Sequence, residues 1–181
     1  MIHPAISRHA RTRDVLHTLE VGLRPGSAAP QLLDCWDEDR RIGPFDTDQL
    51  AHDLDHHLRR FTPPRPAPRV SRLVWQCVLR ADLTGPGLTG TRLAQLGRDV
   101  LHATGIARAD GIDNCRWALI RIDSHEARLV APLVTASGQV LDTTASRPLA
   151  LAVCQLADRR QLQPVTTSAL RTAPALTGRR R

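Results

Sequence analysis

The sequence predicts an α+β fold, a sheet covered by helices, on three observations. Residues 72–80 (RLVWQCVLR) alternate strongly enough for a half-buried strand. Two further apolar runs, 115–122 and 127–134, flank a short polar turn at 123–126 and read as neighbouring strands. Residues 47–61 and 89–103 carry leucines at helical spacing. Strands joined by tight turns and interleaved with helices do not make the regular alternation of a doubly wound sheet.

Taken in order, residues 1–7 are short and apolar and read as an edge strand. Residues 9–20 place Ala10, Val15, Leu16 and Leu19 among Arg11, Arg13 and Asp14, which predicts a helix with one basic flank. Gly22, Pro25, Gly26 and Pro30 end it. Residues 31–37 read as a short turn or helix. Leu50, Leu54, Leu58 and Phe61 make 47–61 one helix. Four prolines in TPPRPAPR, residues 62–69, require an extended connector. In 72–80, Leu73, Trp75, Cys77 and Leu79 form one face; Arg72, Val74, Gln76, Val78 and Arg80 form the other. Thr89 is the N-cap of helix 89–103 and Gly105 its stop. Residues 136–138 are a second tight turn, and 147–160 a last helix. The tail, with Arg171 and the run Arg179–Arg181, carries no acid and reads as a basic, mobile end over 166–181, after a domain of 1–165.

Composition bounds the chemistry. The chain of 181 residues suits one domain. It contains no tyrosine, which excludes a tyrosine nucleophile. All 25 basic residues are arginine, which excludes a Schiff-base lysine and a Walker-type phosphate loop. The net charge of +7 points to an anionic partner, most simply nucleic acid. Residues 34–55 hold eight acids against Arg40 and Arg41, so the rest is more basic than the total suggests. That acidic stretch either is solvated or folds over the basic face as an internal mimic of DNA. Arginine suits phosphate because its planar fork reaches two oxygens at once.

Cys35, Cys77, Cys115 and Cys154 lie about forty residues apart with no C-x-x-C pair, which argues against zinc. Cys77, Cys115 and Cys154 sit in apolar surroundings and read as small core residues. With no long apolar run, the expectation is a soluble, reducing, cytoplasmic protein with no membrane partner. His52, His56 and His57 crowd one helix and read as a solvated polar face, and His17 and His102 as helix-surface residues.

The segment from LVWQCVLRADLTG through DVLHATGIARADGIDNCRWALIRIDSHEARLVAPLVTASG resembles the relaxase/mobilisation-nuclease family of actinobacterial plasmids. That family shows a V-W-H-C-S-L-R-A strand, a helix ending A-T-G-I, a C-R-W strand and a D-H-I-H-I-V-A-T-L-V strand. The opening ISRHARTRDVLHTLEVGLRPGS and the later LAVCQLADRRQLQPVT are also similar, so the resemblance spans about residues 1–170. It implies an HUH-endonuclease-like central antiparallel sheet with flanking helices. It also implies a role in plasmid mobilisation during conjugation, beside other mobilisation proteins. In the family a tyrosine attacks the DNA phosphodiester, and a divalent metal such as Mg or Mn, held by three histidines, polarises the phosphate.

Every matched catalytic position differs here. The tyrosine falls at Thr18, the strand histidine on Gln76, and the paired histidines on Glu126 and Arg128. An unactivated threonine hydroxyl is far less acidic than a phenol. Arg128 cannot ligate a metal, so the resemblance implies no cofactor and a pseudoenzyme. His125 lies one residue early, on the opposite pleat face from Glu126 and Arg128. Glu126 and Arg128, two apart on a strand, share a face. Arg128 would then bind phosphate where a metal sits in the family, with Glu126 orienting it; otherwise the two form an ordinary exposed ion pair. Candidate DNA contacts are Arg8, Arg11, Arg13, Arg72, Arg80, Arg116, Arg121 and Arg128, with stacking from Trp75 or Trp117 unless both are core. The expected function is single-stranded or origin DNA binding without catalysis. The alternatives are a nicking enzyme with an unconventional centre around Gln76, Glu126 and His125, and a protein-interaction module that kept only the fold.

Overall fold

The computed structural model describes residues 1–21, 28–37, 39–61, 72–84, 87–108, 111 and 113–162. The elements, in chain order, are β1 (Ile2–His9), α1 (Thr12–Val21), β2 (Gln31–Cys35), α2 (Thr47–Leu54), α3 (His56–Phe61), β3 (Val74–Ala81), α4 (Gly90–Ala103), β4 (Ala118–Arg121), β5 (Glu126–Pro132) and α5 (Ser146–Leu162). The five strands form one antiparallel sheet in the order β1-β3-β5-β4-β2. The α+β architecture is as expected. The connector at 62–69 and the tail at 166–181 lie outside the described residues.

Strand alternation divides the core in two. Trp75, Cys77 and Leu79 of β3, Leu119 of β4 and Leu129 and Ala131 of β5 point to one face, where α4 and α5 cover them. Val74, Val130, Ala118, Ile120 and Leu32 point to the other, where Val15, Leu16 and Leu19 of α1 and Leu50 and Leu54 of α2 close over them. Each leucine so buried contributes roughly 1.5–3 kcal/mol relative to exposure.

Local chemistry sets the helix ends. Thr89 caps α4 by accepting the Arg92 N–H at 3.3 Å. At the other end Gly105, at φ +73°, lets Ile106 donate back to the Leu101 carbonyl at 3.0 Å, and buries Ile106 against the core. Gly97 has a different purpose: a Cβ there would lie 2.9 Å from Leu119 Cδ2, so a larger residue would force the Leu119 side chain to shift where α4 meets β4.

Three elements differ from expectation. Within 31–37, read as a turn or helix, residues 31–35 form strand β2 on the sheet edge. Its Leu32 and Cys35 fill the second core, and a bulge between Leu32 and Asp34 lets Asp34 meet Arg98 of α4. The single helix 47–61 breaks at Asp55, whose carboxylate accepts a hydrogen bond from the Thr12 hydroxyl and ties α1 to the break. The strand expected from residue 115 begins at Ala118; Cys115 makes only an isolated bridge with Thr135. All four cysteines are buried and free, and burial pushes the Cys77, Cys115 and Cys154 thiols up to about 12. No helix among the described residues is long and apolar enough to cross a membrane.

Much of the acidic stretch is solvated, with Asp37, Asp39, Asp46 and Asp48 exposed. Three of its carboxylates pair with arginine: Asp34 with Arg98, Asp48 with Arg13 at 2.7 Å, and Asp53 with Arg40 at 2.7 Å. The Arg40 and Gln49 bonds hold Asp53 below the usual carboxylate range against the opposing effect of burial.

Candidate nucleic-acid interface

On the second face, α1 and α2 cover the β2–β4–β5 part of the sheet, but the β1–β3 part carries polar groups. The register sets them in rows: His9 beside Val74, Ser7 beside Gln76, Ala5 beside Val78 and His3 beside Arg80. β5 continues the rows, with Arg128 beside Val78 and Glu126 beside Arg80. Gln76, Glu126 and Arg128 therefore share one face, Gln76 lying one row from Arg128.

Glu126 is the hub. Its Oε1 accepts from Arg128 Nε at 2.8 Å and its Oε2 from Arg80 Nε at 2.8 Å. The Glu126 and Arg128 side chains are 16% and 20% exposed, so this is not the ordinary exposed ion pair that sequence allowed; Arg80 is 63% exposed. Two guanidiniums on one carboxylate leave an excess positive charge. In the next rows, Ser7 Oγ lies 2.8 Å from His9 Nε2, and Gln76 Oε1 meets both, at 3.2 and 3.0 Å. Gln76 is buried and its Nε2 has no partner. Ser7 and His9 escaped the sequence reading. Their signal, two polar side chains at i and i+2 of an edge strand, appears only once β1 is paired with β3.

The donor set does not fit a divalent cation. Both oxygens of Glu126 are taken by guanidiniums, Gln76 offers a single amide oxygen already engaged, and Arg128 carries a positive charge. Among the described residues, no three His, Cys, Asp or Glu side chains come together to hold a metal ion.

The other expected residues scatter. Thr18 is exposed on α1, and its hydroxyl donates to the Val15 carbonyl at 2.6 Å. Arg8 lies on the α4/α5 side of β1 and donates to Thr143 and to the Arg72 carbonyl. Arg13 is engaged by Asp48. Arg11 and Arg72 are exposed, Arg11 between β1 and α1 and Arg72 just before β3. Arg121 ends β4 and donates to the Asp123 carbonyl at 3.0 Å. Arg116 belongs to the β2 edge, over Trp36. Only Arg80 and Arg128 of the eight share the polar face. His125 stands beside Ala81, on the α4/α5 side, away from Glu126.

Trp75 and Trp117 are core, 0% and 8% exposed, so neither offers a stacking surface; the half-buried tryptophan is Trp36. His52 and His56 are exposed as expected, but His57 is half-buried. Burial and the nearby Arg116 charge both push its imidazole below the usual histidine range.

Compared with known proteins, the chain matches no family model, no curated protein and no solved structure.

Proposed function

We propose that the chain is a relaxase-like domain that has lost its nuclease centre and holds single-stranded or origin DNA on the polar face of β1, β3 and β5, as an accessory or competitor in plasmid mobilisation. The observation that carries this reading is the Arg80–Glu126–Arg128 cluster. Glu126 fixes both guanidinium forks, and a fixed fork meets phosphate oxygens with little further loss of side-chain freedom. The net positive charge attracts the backbone without reading bases, so binding is salt-sensitive and weakly sequence-specific.

The test is binding of a fluorescent single-stranded oligonucleotide across a salt series, with and without Mg²⁺ or Mn²⁺, the products run on a denaturing gel. We expect steep salt dependence, no effect of chelation and no cleavage. Arg128→Ala should weaken binding at every sequence and lower the salt slope by about one. Absence of binding at low salt would remove DNA and leave a protein partner as the function of this fold.

A second reading, phosphodiester cleavage from an unconventional centre, has one observation in its favour. The Ser7 hydroxyl lies 2.8 Å from His9 Nε2, within reach of a base, on the same face as Arg128. Cleavage on the gel that disappears in Ser7→Ala would establish it over the first.

A further inference from the structure

A cavity of about 530 Å³ opens at the β2 edge of the sheet, the opposite edge from β1. Ligand sites commonly occupy about 300–1,000 Å³. Its walls come from β2 and the residue after it (Asp34, Trp36), the second half of α4 (Arg98), the segment before β4 (Arg108, Arg116) and α3 (His57).

Arg116 sets the chemistry. It is half-buried, yet no carboxylate among the described residues lies within ion-pair distance of it. Its Nη1 donates to the Asp53 carbonyl at 2.6 Å, and its guanidinium lies 5.1 Å from the centre of the Trp36 ring. A charge taken partly out of water without a counter-ion is costly. Burial accordingly pushes its guanidinium below the ordinary arginine range, while Asp53 and Asp37 act only from a distance. Arg98 is tied to Asp34 at 2.5 Å, whereas among the described residues Arg116 is held by the Asp53 carbonyl and the Trp36 ring. An anion entering here meets a pre-positioned cation and displaces no existing ion pair on Arg116.

The cavity is several times larger than a phosphate group needs, and it is walled by Trp36, whose ring centre lies 5.1 Å from the Arg116 guanidinium and 5.4 Å from that of Arg40. Bases stack on aromatic rings and on arginine planes alike. We propose that this cavity binds one nucleotide, with Arg116 on its phosphate and the Trp36–Arg116 layer against its base. The proposal rests on the nucleic-acid reading above, in which the cavity takes a single splayed nucleotide while the β1–β3–β5 face holds the backbone. His57, on the same wall, reports occupancy: burial and then the Arg116 charge push its imidazole below the ordinary range, and a phosphate facing Arg116 offsets that charge and raises the imidazole midpoint.

The experiment titrates the full chain with 5′-AMP, adenosine and inorganic phosphate. It follows tryptophan fluorescence and the His57 imidazole resonance against pH. We expect saturable quenching by 5′-AMP with an upward shift of the His57 midpoint, and binding of adenosine and of phosphate each at least about tenfold weaker. Arg116→Ala should lose at least about tenfold in 5′-AMP affinity. Arg116→Lys keeps the charge without the fork and should fall between, its circular dichroism matching the parent. No saturable 5′-AMP binding, or equal binding by Arg116→Ala, overturns the proposal. Equal affinity for phosphate and 5′-AMP overturns the nucleotide and leaves an anion site. The oligonucleotide salt series separates the two readings. Salt-sensitive oligonucleotide binding without 5′-AMP binding sinks the cavity alone; 5′-AMP binding without oligonucleotide binding sinks the polar face alone.

Discussion

The two faces of the sheet are covered in different ways. On the first, α4 and α5 lie over Trp75, Cys77, Leu79, Leu119 and Leu129, none more than 1% exposed. The cover is apolar, and it spans the strands from β1 to β4. On the second, α1 and α2 bury mainly the β2–β4–β5 part and Val74 of β3, and polar pins help to hold them: Thr12 on Asp55 and Arg13 on Asp48. The uncovered remainder is where charge collects. A sheet with one face committed to packing can let part of the other vary without unfolding.

The largest expected effect lies on the packed face. Trp75 is wholly buried and its indole N–H donates to Ser146 Oγ at 3.3 Å. Trp75→Ala removes that bond and opens a cavity under α5. It should cost about 3–5 kcal/mol, read from the urea midpoint at unchanged slope. A loss below about 1 kcal/mol would break the contrast, because it would mean that the α4/α5 face is no better packed than the open one.

The next effect joins stability to binding on the polar face. Glu126→Gln keeps the shape but removes the charge shared by Arg80 and Arg128. Hydrogen bonds to charged groups contribute about 1.5–3 kcal/mol, so a loss of up to that size is expected on urea unfolding. Oligonucleotide affinity at low salt should fall as well, because the forks lose the carboxylate that holds them for phosphate. A rise in affinity would mean that net charge outweighs orientation of the forks, and would break the role given to Glu126.

Which parts were legible follows the same division. The α4/α5 face could be read because alternation in 72–80 and the leucine spacing of 89–103 are local patterns. Thr89 and Gly105 are also local, and both act as expected. β2 could not be read. Its strand character comes from pairing with β4, and five residues with a bulge between Leu32 and Asp34 carry no clean period. The break at Asp55 depends on Thr12, forty-three residues away. At the candidate site, the shared face of Glu126 and Arg128 follows from their spacing of two. Arg80 as the second partner of Glu126 requires the β3–β5 register. The Ser7–His9–Gln76 cluster requires β1–β3 as well. Placement on a helix or strand does not fix which side of the finished sheet a side chain meets, so the eight expected arginines disperse.

The smallest expected effect tests the polar pins. Burial raises the Asp55 carboxyl above its ordinary value, although the Thr12 hydroxyl acts to lower it. The folded state therefore holds that proton more tightly than the unfolded chain does. The stabilisation is fully present below the unfolded value, near 3.8, and is lost as pH rises through the folded one. Burial disfavours the ionised form of Asp55, while its oxygen still anchors Thr12. Asp55→Asn keeps an oxygen acceptor and removes the charge. It should change stability at pH 7 by less than about 1 kcal/mol, toward greater stability, and should abolish this part of the decline above the acid range. The check is a set of urea midpoints from pH 4 to 7 for both proteins. A clear destabilisation by Asp55→Asn at pH 7 would mean that the charge itself holds α1 to the α2–α3 break. The cover of the second face would then be electrostatic where the cover of the first is apolar.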